Sequence, residues 1–266
     1  MSSPNELFWA ARHPPADPTT TTPFHNKTIL VTGANSGLGH DAATKYASLG
    51  ANPLTLAVRT PEKGAAAAKG AIVAATGCSP DIFIIETFDL ASFSSVQAFA
   101  ERVIARVPAL HVVQARGGIA IPGFGRSEDG YEMAFQVNVL ANALLGMLLL
   151  LPKLQETSAT TAVAGRFVPH LSIVNSIAYV EVKLEWIAAD ETLIERINDE
   201  KRFDMNSQYC MTNMGRNHPL VLRLFMVVFY FIFGRSAELG SRTLVSATDL
   251  GVESLGRFWT KDEFLP

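Results

Sequence analysis

Residues 28–50 read TILVTGANSGLGHDAATKYASLG. A short β-rich run ends in glycine, and a helix-forming stretch follows and closes at Gly50. The intervening TGANSGLG, Thr32 to Gly39, confines the chain to a strand, a tight turn and a helix that packs back on the strand. The strand–helix alternation then continues. PLTLAV is a second strand, and PEKGAAAAKGAIVAA a helix with Pro61 at a natural first-turn position. DIFIIETF is a third strand, followed by the helix SFSSVQAFAERVIARV with Ser92 as its cap. LHVVQA is a fourth strand, residues from about 128 to 155 a long helix, and HLSIVNS a fifth strand. Strands that alternate with helices predict a parallel, doubly wound sheet of the Rossmann type. Ligands of such a sheet bind at the carboxyl ends of its strands.

No internal repeat and no second domain boundary interrupts this pattern. The expectation is one α/β domain over residues 27–266, preceded by an arm, residues 1–26. Its PPADPTTTT stretch is rich in proline and threonine and poor in core-forming residues, which predicts a surface strap or disorder.

The glycines of the first turn have separate tasks. Gly33 permits the tight turn, Gly37 lets backbone approach a phosphate, and Gly39 lets helix and strand pack closely. A pyrophosphate would sit on the helix N-terminus. A phosphate-binding P-loop is excluded, because no Gly-Lys-Ser/Thr follows. The second strand ends in Arg59 where an acidic residue would bind the ribose 2′-hydroxyl of NAD. An arginine there accommodates the 2′-phosphate of NADP, so Arg59, with Lys63, favours NADP.

Composition narrows the function classes. A net charge of −3 and a pI near 6.1 give no support to nucleic-acid binding, which needs basic patches. Two cysteines, Cys78 and Cys210, make no disulfide framework. The N-terminal stretch lacks a basic region followed by an apolar core, so no signal peptide is expected and a reducing, cytoplasmic setting follows. LFMVVFYFIF, Leu224 to Phe233, is shorter than the ~20 residues that span a bilayer. It reads as a buried or substrate-lining helix, with membrane-surface contact as the lesser alternative. LANALLGMLLLLP, Leu140 to Pro152, reads as a core helix packed on the sheet.

The spacing Gly-x-x-x-Gly-x-Gly resembles that of the short-chain dehydrogenase/reductase family, and the resemblance runs in order from about residue 27 to residue 208. LAVRTPEKG (56–64), DGYEMAFQVNVLANALL (129–145) and RSAELGSRTLV (235–245) are similar to the fungal members related to retinol dehydrogenases. The resemblance implies hydride transfer between a nicotinamide cofactor and a small-molecule carbonyl or alcohol, with secondary-metabolite biosynthesis as a plausible setting. It implies a cofactor site of Gly33, Asn35, Ser36, Gly37, Leu38, Gly39, Arg59, Lys63, Asp89 (on the adenine), Gly118 and Thr212. Where the family has Asn-Asn-Ala-Gly after the fourth strand, this chain has ARGG, Ala115 to Gly118, with both asparagines absent.

For the chemistry, the resemblance implies Ser176 to orient the carbonyl oxygen, Tyr209 as proton donor, and Asn138 in a water relay. It also implies a lysine four residues after the tyrosine, on the same helix face. That position is Asn213, which carries no charge and cannot stabilise a phenolate as an ammonium would. Lys201 lies roughly 12 Å away along a helix axis at 1.5 Å per residue, and Arg216 nearly as far downstream. CMTNMGRNHP instead resembles the segment that follows the family's sixth strand, with Thr212 as its cofactor-binding threonine. The expectation is that the rest of a helix and a strand are missing between Tyr209 and Cys210, a unit on the order of 30 residues. A skipped exon, a wrong gene model or real loss would each produce it, and a simple lysine replacement is the weaker alternative. The rival function is a catalytically impaired remnant that binds NADP or a partner without turnover.

Overall fold

The computed structural model describes residues 9, 12–13, 15–18, 24–60, 66–121, 123–161, 167–174, 190–202, 236–254, 256–257, 259–260 and 263–264. Its centre is a five-stranded, wholly parallel sheet. In chain order the elements are β1 (Ile29–Thr32), α1 (Gly37–Ser48), β2 (Leu54–Val58), α2 (Ala66–Thr76), β3 (Phe83–Thr87), α3 (Phe93–Arg106) and β4 (Val112–Ala115). A long helix α4 (Met133–Thr160), β5 (His170–Ile173), a short helix α5 (Leu193–Ile197) and α6 (Ala237–Ser246) follow. A two-residue hairpin pair, β6 (Trp259–Thr260) and β7 (Glu263–Phe264), lies apart from the sheet.

The strand order is β3-β2-β1-β4-β5. β1 takes β2 on one side and β4 on the other, with Ile29 opposite both Leu54 and Val112. The order in which strands are added reverses between β1 and β4, and the crevice at that switch point is where doubly wound sheets bind ligands. Successive side chains of a strand point to opposite faces. Leu30 and Val113 therefore join one apolar cluster, with Phe99 and Val103 of α3 and Leu145 and Leu150 of α4. Ile29, Val31, Leu54 and Val112 join the other, with Tyr46 of α1, Ile72 of α2 and Val245 of α6. Both faces of β1 are covered, and all four of its residues are buried. That explains its continuous apolar run, which a sheet with one wet face would not need.

Local chemistry sets the helix ends. Ser92 caps α3 by accepting the Ser95 N–H, as expected, and Ser236 caps α6 through Leu239. α4 begins at residue 133 rather than near 128. Residues 127–131 form a turn, with Gly130 at φ 87° and Ser127 N bonded to Tyr131 O. The Glu132 carboxylate then takes the N–H groups of Ala134 and Phe135 and starts the helix. Further on, α4 carries π-helical turns over Gln136–Leu140 and Leu144–Leu150. The second lies just before Pro152, which lacks an N–H and would crowd the preceding turn; a wider turn relieves that crowding.

By length and composition α4 is the one described helix long and apolar enough to cross a membrane. Leu145, Leu150 and Leu154 seat it on the sheet in the first apolar cluster, as a core helix would be. α6 packs on α1, where Lys45 Nζ meets Glu238 Oε1 at 2.6 Å and Arg242 Nε reaches the same oxygen at 3.1 Å.

Toward the N-terminus the described residues are tied to the body of the protein. Phe24 is fully buried and meets Tyr46 edge-on at 5.0 Å, and Arg242 donates to Pro15 O. Phe24 thus belongs to the core, which a reading of the arm by composition does not reveal.

Candidate functional site

The carboxyl ends of β1 and β4 converge on the glycine turn. Gly33 and Gly37 have φ of 66° and 56°, the left-handed region that side chains avoid. Gly39 has an ordinary φ, but a Cβ there would drive into the carbonyl oxygen of Gly33. The turn needs glycine for conformation at two places and for close approach at the third. A Cβ on Gly33 would also lie 3.4 Å from Cα of Gly117, so the β4 loop passes directly over the turn.

Ser36 stands at the N-cap of α1 in extended conformation but makes no side-chain cap hydrogen bond, and no acidic residue occupies the first turn. The orphan N–H groups of this helix end carry the positive pole of the helix. Asn35 and Ser36 are exposed beside it. Leu38 is turned away from the opening, its side chain against Gly240 of α6.

The loop after β4 is held from two sides. Thr32 Oγ1 accepts the N–H groups of Arg116 and Gly117, both at 2.8 Å. Asn138 of α4 accepts the Ile119 N–H at 2.8 Å and donates to Ile119 O at 2.9 Å. Its side chain is thus committed to holding the loop, and Gly118 leaves room for it, since a Cβ at 118 would lie 3.1 Å from Asn138 Oδ1. Asn142 adds a third tie, from Nδ2 to Gly117 O at 2.9 Å. The loop is thus tied at Arg116, Gly117 and Ile119 without either asparagine of the expected motif. Gln114, fully buried, donates to Ser172 Oγ across β4 and β5, and Tyr46 OH donates to Gln114 Oε1 at 3.4 Å while pairing with Thr248 Oγ1 at 2.8 Å. Burial pushes the Tyr46 phenol well above the ordinary tyrosine range, so it stays neutral in this network.

Arg116 of the ARGG stretch reaches across this opening. Its Cδ would be 3.4 Å from a Cβ on Gly39, and its Nη2 3.8 Å from one on Gly37. The guanidinium therefore lies over the glycine turn at the N-terminus of α1. Its Nε is buried and has no hydrogen-bond partner. Burial lowers its pKa, and the charge of Asp41 acts in the opposite direction. A cation of this kind replaces a neutral asparagine of the expected motif. Its presence beside two glycines is the signal by which the sequence could have disclosed a new site residue.

Arg59 is exposed and follows the last residue of β2. Asp89, just beyond β3, is partly spent on its own loop, with Oδ1 accepting the Ala91 N–H at 2.9 Å. Ser176, Tyr209, Thr212 and Lys63 lie outside the described residues, as do Asn213 and the apolar stretch 224–233. The described residues thus bring together Gly33, Asn35, Ser36, Gly37, the backbone of Leu38, Gly39, Gly118 and Asn138, and add Thr32 and Arg116. The arrangement fits a dinucleotide. An uncapped helix end, a glycine turn and a guanidinium whose Nε has no hydrogen-bond partner meet at one crevice, and each favours a phosphate group.

Comparison with known proteins agrees with this geometry. The family model described as short chain dehydrogenase matches residues 27–166. Short-chain dehydrogenase/reductase ffsI of Aspergillus flavipes is 36% identical over 293 aligned positions, covering 98% of this chain and 84% of that protein. Since 98% of 266 residues is about 261, about 32 of those 293 positions have no residue of this chain opposite them. Short-chain dehydrogenase/reductase phmF of Phaeosphaeria nodorum is 34% identical, with the same 98% and 84% coverage. Retinol dehydrogenase 14 of Mus musculus is 31% identical over 91% of this chain and 81% of that one. Among solved structures, NADH-dependent reductase A1-R′ complexed with NAD aligns at a TM-score of 0.48 and 19% identity, over 60% of this chain and 63% of that one. With a family match over more than half its length and relatives alike nearly from end to end, this chain belongs to the short-chain dehydrogenase family of oxidoreductases.

Proposed function

We propose that the chain is an NADP-dependent oxidoreductase that reduces a carbonyl or oxidises an alcohol on a small molecule. The observation that carries the proposal is the uncapped N-terminus of α1 behind Gly33 and Gly37, at the carboxyl end of β1. Arg59 supports NADP over NAD, because a guanidinium after β2 complements a 2′-phosphate and leaves a bare ribose hydroxyl without its usual acidic partner. Lys63 and Thr212 complete the proposed cofactor contacts.

When bound, the nicotinamide supplies or accepts the hydride. The chain's own groups then manage the oxygen and the proton. Ser176 donates a hydrogen bond to the substrate oxygen, and the Tyr209 hydroxyl gives that oxygen a proton in reduction or takes one in oxidation. Asn138 holds the loop that closes the crevice. Fungal relatives make secondary-metabolite biosynthesis the proposed setting.

A second reading, binding without turnover, is favoured by one specific feature. Asn213 stands where the catalytic lysine is expected, and positioned acid–base catalysis is worth on the order of 10²–10⁴ in rate. The roughly 32 unmatched positions have the size of a missing helix-and-strand unit. One experiment separates the two readings. NADPH binding is titrated by fluorescence, and NADPH consumption is followed over a panel of ketones and aldehydes. Turnover that disappears in Tyr209→Phe supports the enzyme, and tight binding with no turnover supports the impaired form. Arg59→Ala is expected to weaken NADPH and leave NADH unchanged, and equal weakening of both would count against the NADP assignment.

A further inference from the structure

We propose that Arg116 binds the pyrophosphate of the dinucleotide, acting as a cation carried by the β4 loop onto the glycine turn of β1 and α1. The inference rests on the dinucleotide reading of this site and adds to it a residue that the family's neutral motif does not supply.

Three observations carry it. The first is position. The Arg116 backbone is fixed by Thr32 Oγ1 at 2.8 Å, and its side chain runs over Gly39 and Gly37. The nearest approach of Nη2, 3.8 Å from a Cβ placed on Gly37, is ordinary contact distance. A group bound on the turn would therefore meet the guanidinium directly.

The second is an unmet polar requirement. Nε of Arg116 is buried with no partner. A buried charged donor left unpaired is costly, and native structures keep few of them.

The third is an electrostatic conflict. The guanidinium lies at the positive pole of α1, where an anion is favoured and a cation is not. Asp41 offsets this in part. An anion seated between the helix end and the guanidinium would resolve the conflict and give Nε a partner. A pyrophosphate suits the place, since its two phosphates can take backbone N–H groups from one side and the planar guanidinium fork from the other.

The experiment is an equilibrium titration of the full chain with NADPH and with NADH, read by nicotinamide fluorescence at low and moderate salt. Arg116→Gln removes the charge and keeps most of the side-chain length, and Arg116→Lys restores a charge. Far-UV circular dichroism with thermal melting confirms that each variant is folded. Arg116→Gln is expected to weaken both cofactors by the same factor, about tenfold or more, the scale of one charge-assisted hydrogen bond. Its affinity should also fall less steeply with salt, and Arg116→Lys should recover part of the loss. The inference is overturned if Arg116→Gln binds both cofactors as well as the natural chain does. Tighter binding in the variant also overturns it, and would identify the side chain as a plug over the turn. Weakening of NADPH alone overturns it in favour of a 2′-phosphate contact. If the natural chain binds neither cofactor, the dinucleotide reading itself fails and takes the inference with it.

Discussion

Thr32 Oγ1 accepts the backbone N–H groups of Arg116 and Gly117 at 2.8 Å each, tying the end of β1 to the loop that leaves β4. The hydroxyl is fully buried, so water cannot replace it. Thr32→Val keeps the shape and strands two backbone donors, each worth about 1–3 kcal/mol when left unsatisfied. We expect unfolding in urea to show a loss of about 2 kcal/mol or more, together with weaker cofactor binding. Thr32→Ser retains the acceptor and should recover most of the binding. Equal losses in the two variants would refute the clamp.

Gly39→Ala and Gly70→Ala should change stability in opposite directions. At 39 a methyl meets the Gly33 carbonyl oxygen, and backbone cannot swing aside as a side chain can. Overpacking of this kind costs about 1–3 kcal/mol. At 70, inside α2, a methyl meets nothing within 4 Å, and alanine in a helix interior is favoured over glycine by about 1 kcal/mol. Chemical denaturation of the two variants checks both signs.

His111 gives a pH dependence. Its Nδ1 accepts the buried Thr28 N–H at 3.1 Å, and burial, with the nearby Lys27 charge, lowers its pKa to about 4. The unfolded chain takes up its proton near the ordinary histidine value of about 6.5. Between those values the unfolded state holds more protons, so stability is full above pH 6.5 and falls as the pH drops toward 4. Burial shifts His170 in the same direction and adds to the slope. His111→Asn, whose amide oxygen can accept the same N–H, should make the Tm-versus-pH curve shallower in that window. An unchanged curve would assign the effect elsewhere.

The junction at Tyr209 and Cys210 can be read by mass. Trypsin cuts after Arg202 and Arg216, releasing FDMNSQYCMTNMGR as one peptide from the chain as written. Binding without turnover predicts that peptide in digests of the natural protein. The enzyme reading predicts Tyr209 and Cys210 in separate peptides, with intervening sequence that includes a lysine four residues after the tyrosine.

The sequence disclosed the local elements because their signals are local. Short β-rich apolar runs marked β1 to β5, glycine and serine marked the turns and caps, and the strand–helix alternation required parallel strands. The three glycines of the first turn were legible in role as well as place, since Gly33 needs its positive φ and Gly39 its missing Cβ whatever surrounds them. The start of α4 was misjudged by about five residues, because the turn at 127–131 and the carboxylate cap of Glu132 follow a stretch that already reads as helix.

What the sequence by itself determined was the kind of sheet and the presence of a phosphate-seeking turn. What only the tertiary structure decided was which distant side chains serve that turn. Arg116 reads in the sequence as damage to a motif, and the fold makes it the cation over Gly37. Asn138 reads as a relay residue, and only the fold shows what its side-chain amide holds, the backbone of Ile119. Leu38 reads as part of the cofactor loop, and the fold turns its side chain onto Gly240. The pairings depend in turn on β4 lying beside β1, on α4 lying against the loop after β4, and on α6 lying on α1. That placement is set by packing both faces of the sheet at once, a condition on the whole chain that no short window of residues contains.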